Sequence, residues 1–178
     1  ILSISSQSAE ANTNCISASD MNEIARAFTQ FNSLKGKEFC YDNSDDSALL
    51  EAIMFMRNTQ FQTSMPASAD DLFTGKFASS WWTYFTGRIN KFSIQKNCPE
   101  GAAAYVMGGF FASKTMYVCP LMLSGTMTAL DRASIYMHEA RHIDGYPHMT
   151  CTHGPRKGIN GACDRRISEG EIGRASCR

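Results

Sequence analysis

An α+β domain is the fold class this sequence predicts, and three observations predict it. Apolar residues recur at helical spacing in three separated stretches. Two short apolar runs of strand character lie between the second and third of them. Of the 178 residues, 43% are apolar, enough for one ordinary core. Charge narrows the function classes: Lys plus Arg equals Asp plus Glu at 17 each, and only Arg156, Lys157, Arg165 and Arg166 cluster, so the basic footprint that nucleic-acid binding needs is missing. No internal repeat and no stretch that predicts a membrane span is present.

Taken in order, residues 1–19 are rich in Ser, Ala and Asn and carry no apolar period. Their opening, "ILSISSQSAEA", reads as the tail of an apolar leader followed by a small-x-small site at Ala9, Glu10 and Ala11, which makes residues 1–11 the expected remnant of a secretory signal peptide. A first helix is expected from Asp20, which can cap it, through Met21, Ile24, Phe28, Phe31 and Leu34 to Gly36. A second is expected from Asp45 to Arg57, with acids in its first turn and an apolar run after them. The aromatic stretch around Trp81, Trp82, Tyr84 and Phe85 leaves a helix face, a strand or a cleft wall open, with core packing preferred.

Beyond Pro99 the pattern turns to strand. Ala102 to Met107 and Lys114 to Cys119 predict two neighbouring strands, joined through Gly108 and Gly109. A third helix is expected over Thr128 to Asp144, opened by Thr128 and Asp131 in a capping box and closed at Gly145. Residues 12–170 are read as a single domain. The closing "EIGRASCR", residues 171–178, back-translates into a common sequencing-adapter oligonucleotide and is expected to be an artefact.

Setting Cys177 aside leaves Cys15, Cys40, Cys98, Cys119, Cys151 and Cys163. An even number behind a leader-like start predicts disulfides in an oxidising compartment, secreted or periplasmic, with neighbours in sequence paired. Six reduced thiols are the competing reading.

The third helix carries the chemistry. On a helical wheel Ala129, Ala133, Tyr136, Ala140 and Ile143 share one side, while His138 and His142 fall nearly opposite, beside Asp131 and Ser134. A histidine that merely packs belongs on the apolar side, and these two avoid it. Four residues apart, their rings project from successive turns and can reach one metal ion. Gly145 lets the chain leave the helix, Pro147 extends Tyr146, and His148 is thereby expected to turn back toward the same ion. Three neutral imidazoles leave a fourth position for water, the arrangement of a catalytic zinc. Glu139, one step along, is turned away from the ligand pair yet within reach of such a water.

The full pattern, "HEARHIDGYPH", has the form H-E-x-x-H-x-x-G-x-x-H and resembles the zinc-binding consensus of the metzincin metalloproteases at all its fixed positions. The resemblance covers eleven residues directly, and the order of elements resembles the N-terminal subdomain of such enzymes. It implies a zincin-like fold with packing helices, a small mixed sheet and a zinc-binding active-site helix. It further implies Zn2+ as cofactor, His138, His142 and His148 as ligands, Glu139 as general base and Gly145 as the turn. One departure stands against it: these enzymes have a methionine turn downstream, and no methionine follows Met149, which is expected if the chain is truncated. His153 is read as a loop histidine in preference to a fourth ligand. Asp144 either orients a ligand or simply ends the helix, and Arg141 is expected to be solvated or salt-bridged. A Cys151–Cys163 bridge would hold the loop after the site.

The expected function is that of a secreted zinc-dependent endopeptidase. Its substrate would be a protein or peptide, peptidoglycan peptides included, docked as a strand on the edge formed near Ala102 to Met107. The alternative is a secreted binding or structural module whose zinc is vestigial or braces the fold.

Overall fold

A computed structural model describes residues 14–59, 80–107, 113–145, 148–150, 157–158 and 160–164. The expected leader remnant and adapter segment therefore lie outside the described residues, as do His153 and Cys151.

Short extended strands β1 (Cys15–Ile16) and β2 (Phe39–Cys40) pair antiparallel and are closed by a Cys15–Cys40 disulfide. Between them runs helix α1 (Ala18–Ala27). Its cap is Ser17, whose hydroxyl accepts from the Asp20 amide at 3.1 Å. Asp20, expected to cap, sits inside the helix and pairs instead with Arg57 at 2.7 Å. The apolar period continues past Ala27, but the backbone does not stay α-helical. Phe28 is extended, with φ −130° and ψ 105°, and Thr29–Leu34 forms a 3-10 turn. This break brings both Phe28 and Phe31 fully into the core, with the Phe28 ring 5.1 Å from that of Phe92.

Helix α2 (Asp45–Asn58) is capped by Ser44 and carries Asp45 and Asp46 at its positive end and Arg57 at its negative one. Leu49, Leu50, Ile53 and Met56 are buried along it. The aromatic stretch resolves as a short helix, α3 (Trp81–Thr86), which buries Trp81, Tyr84 and Phe85, so core packing is the outcome.

Three strands make the central sheet: β3 (Lys91–Ile94), β4 (Ala104–Val106) and β5 (Thr115–Val118). Their spatial order is β3-β5-β4, with β3 parallel and β4 antiparallel to β5, a small mixed sheet as expected. Both expected strands form, each shorter at its ends than the sequence pattern, and β3 is an addition. Phe92, Ala104, Met116 and Val118 turn one face of the sheet into the core. A second disulfide, Cys98–Cys119, ties the end of β5 to the chain before β4. Both bridges join sequence neighbours among the cysteines, and two disulfides fit an oxidising compartment.

After the single turn of α4 (Pro120–Leu123) comes the long helix α5 (Ala129–Ile143). Thr128 and Asp131 form the expected capping box, the Thr128 hydroxyl accepting from the Asp131 amide at 3.2 Å and the Asp131 carboxylate from the Thr128 amide at 3.0 Å. Tyr136 stacks on Phe85 with ring centroids 5.1 Å apart and lies 5.0 Å from Phe92, at the centre of the core. Arg132, only 4% exposed, fastens the start of α5: it donates to the Met122 carbonyl at 2.9 Å, the Ser124 carbonyl at 3.0 Å and Glu51 of α2 at 2.9 Å. The helix that bears the histidines is thus pinned at its first turn and its middle. Thr128→Ala should lower stability by about 1 kcal/mol through loss of that cap, read as a shifted urea midpoint with an unchanged slope. No helix among the described residues is long and apolar enough to cross a membrane.

Candidate metal centre

His138 and His142 stand one turn apart on α5, where the helical spacing places them, both half-buried. The third imidazole comes from a different kind of element. His148 begins β6 (His148–Thr150), which pairs antiparallel with β7 (Asn160–Asp164), so that His148 faces Asp164 and Met149 faces Cys163 in the backbone register. The expectation was a histidine aimed by Gly145 and Pro147. Gly145 does turn the chain, with φ +84°, and nothing lies within 4 Å of where its Cβ would be, so its requirement is conformational and not one of space. Tyr146 and Pro147 lie outside the described residues, and the strand, unforeseen, is what carries His148.

The three rings converge. Nε2 of His138 is 2.9 Å from Nε2 of His148 and 3.0 Å from Nε2 of His142. All three possible ligand atoms lie within 4.8 Å of one another, and the set could hold a metal ion. Two nitrogens bound to one tetrahedral zinc at their usual distances stand roughly 3.3 Å apart, close to these spacings. The donor chemistry agrees. A neutral imidazole nitrogen that carries no proton offers one lone pair, and three such nitrogens at these spacings can all direct theirs at a single cation.

Glu139 is 6% exposed, on the core side of the helix between the two histidines in sequence. A carboxylate with so little exposure is uncommon, and its surroundings must compensate the cost of desolvation. Arg141, expected at the solvent or in a salt bridge, is a correction on the first count: it is fully buried. Its place in the last turn of α5 sets a cation near the helix's negative end, which favours it there.

Asp144 does not serve the ligands directly. It caps the C-terminus of α5, and its Oδ2 accepts from the Tyr84 hydroxyl at 2.6 Å and from Arg88 Nε at 2.7 Å. Burial, then the hydrogen bond and charge of Asp144, hold the Tyr84 phenol far above its ordinary range, so it stays a donor. The sequence marks Tyr84 only as one of an aromatic stretch preferred for core packing, and it does not mark Arg88 at all. The signal that could have found them is their spacing of four at the end of an aromatic helix, one face offering a hydroxyl and a guanidinium together.

No family model, no curated protein and no solved structure matches this chain. What the centre can do must be argued from its own residues.

Proposed function

We propose that this protein is a zinc-dependent endopeptidase of zincin-like architecture, acting outside the cytoplasm. The observation that carries the reading is the convergence of the His138, His142 and His148 imidazoles, with a buried glutamate, Glu139, next to His138 in the same helix. Nitrogen donors in this number suit zinc and leave room for a fourth, non-protein ligand. A zinc ion held there supplies Lewis acidity, which lowers the pKa of a water and polarises a carbonyl.

The chain's own groups do the rest. Glu139 accepts the proton of the attacking water and delivers it to the nitrogen of the departing amine, the two halves of general acid–base catalysis. Strand β4 supplies a binding edge. It lies at the end of the sheet order, packs on α5, and its side away from β5 has no strand partner among the described residues. An extended peptide can add there through main-chain hydrogen bonds, which binds many sequences and suits protein or peptidoglycan peptides alike.

A second reading has one observation in its favour. His148 belongs to the β6–β7 hairpin while its fellow ligands belong to α5, so a metal would also fasten hairpin to helix. Zinc in that case braces the fold and performs no chemistry. The two part on turnover. Purified protein stripped with a chelator and reloaded with one zinc should cleave an internally quenched peptide library, with no cleavage before reloading. Full zinc occupancy with no hydrolysis of library or cross-linked peptidoglycan peptides would select the bracing role.

A further inference from the structure

Helix α5 must stop at the right residue for His148 to meet His138 and His142, and three side chains converge on that stopping point. At the helix end, the Asp144 amide is bonded to the carbonyls of Arg141 and His142, and the Gly145 amide to that of His142 at 3.0 Å. The helix tightens here, and one residue later Gly145 takes its left-handed conformation. Asp144 is therefore the last residue before the chain changes direction, two after one ligand and four before another.

Its carboxylate is held from α3. Tyr84, fully buried, donates to Oδ2 at 2.6 Å, and Arg88 donates to the same oxygen at 2.7 Å. Arg88 is itself positioned twice over: Nη1 donates to the Tyr84 carbonyl at 3.1 Å, and the guanidinium carbon lies 3.6 Å above the Tyr84 ring. The turn that follows α3 is braced in turn by Lys114, whose ammonium donates to the Gly87 carbonyl at 3.0 Å next to β5. An ordinary helix end needs none of this, since a polar residue facing water closes it adequately. Here a charged, multiply bonded carboxylate links the end of α5 to the aromatic core.

We infer that Tyr84 and Arg88, acting through Asp144, are positioning residues that fix the exit of α5 and so place His148 against the other two imidazoles. The inference rests on the metal reading of the three histidines, and it makes a separate claim about geometry that holds without metal. Asp144 is not one of the three converging possible ligands; its carboxylate is taken up by Tyr84 and Arg88. Its effect on His148, four residues on, begins with the left-handed turn at Gly145.

The test compares Asp144→Ala, Asp144→Asn and Tyr84→Phe with Arg57→Ala, which removes the ion pairs from α2 to Asp20 and Glu23 of α1 and so measures plain loss of stability. In metal-free full-chain protein, amide hydrogen exchange at residues 148–150 and 160–164 should speed up about ten-fold or more in Asp144→Ala and Tyr84→Phe, beyond any change in Arg57→Ala. Asp144→Asn keeps an acceptor for Tyr84 and should retain much of the protection. Zinc affinity, by competition with a chromophoric chelator, should weaken about ten- to a hundred-fold in Asp144→Ala and stay at the wild-type value in Arg57→Ala. Wild-type exchange in the hairpin of Asp144→Ala and Tyr84→Phe would overturn the inference, as would a loosened hairpin with undiminished zinc affinity. A loosened hairpin in a protein whose wild type takes up no zinc would leave the positioning role standing and remove the metal reading instead.

Discussion

Glu139→Gln is expected to abolish most peptide hydrolysis while leaving zinc bound. The substitution keeps the side chain's length and one acceptor oxygen, so the helix and its half-buried imidazoles should be undisturbed. What it removes is the ability to take a proton from water. General acid–base contributions typically reach about a hundred- to ten-thousand-fold, and the loss should fall in or above that range in both kcat and kcat/KM. Glu139 is 6% exposed, so a structural role for it must be separated from a chemical one. The separation comes from stability. An unfolding midpoint of metal-free Glu139→Gln close to that of the wild type leaves lost proton transfer as the cause of lost activity. Activity lost together with zinc, or together with the fold, would show Glu139 to be a strut. Hydrolysis that persists with its zinc dependence intact would show that another group accepts the proton.

The residues that bear on this experiment were legible because their pattern is local. A spacing of four on one helix face, a capping box at one end and a glycine at the other are all written within the eighteen residues from Thr128 to Gly145, and the helix period alone relates them. The same holds for α2 and for the two strands β4 and β5, whose apolar runs are bounded by turn residues. Legibility fails where the deciding contact is remote. Asp144 meets Tyr84 across 60 positions and Arg88 across 56, and no local pattern announces such a pairing. Strand β3 was missed because only Phe92 of its four residues is buried, while Ile94 is 45% exposed, which leaves almost no alternation to read. Its place comes from parallel pairing with β5, another long-range choice. The burial of Arg141 escaped for a related reason: a guanidinium near a helix end reads as solvated until the neighbouring elements are in place. The break of α1 at Phe28 was likewise set by tertiary packing, since two phenylalanines three apart fit a continuing helix equally well on paper.

Of the three imidazoles, His138 is the one whose removal should cost most. Its Nε2 lies against both of the others, at 2.9 Å from His148 and 3.0 Å from His142, so it stands at the centre of the donor set. Apparent binding free energies for zinc in small protein sites run to about 10–16 kcal/mol, and one donor in four therefore carries roughly 3 kcal/mol, on the order of a hundred- to a thousand-fold in affinity. His138→Ala should accordingly fall from about one zinc per chain to near none after dialysis against a weak chelator, measured by elemental analysis. Alanine is the best helix former, and His138 is only half-buried, so α5 should persist and the unfolding midpoint of the metal-free protein should move little. His153→Ala is the matched control, because the sequence reads that residue as a loop histidine, and it should keep its zinc. Equal zinc content in the wild type and in His138→Ala would mean that the convergence of nitrogens on α5 and β6 is a packing arrangement and that the proposed chemistry has no centre.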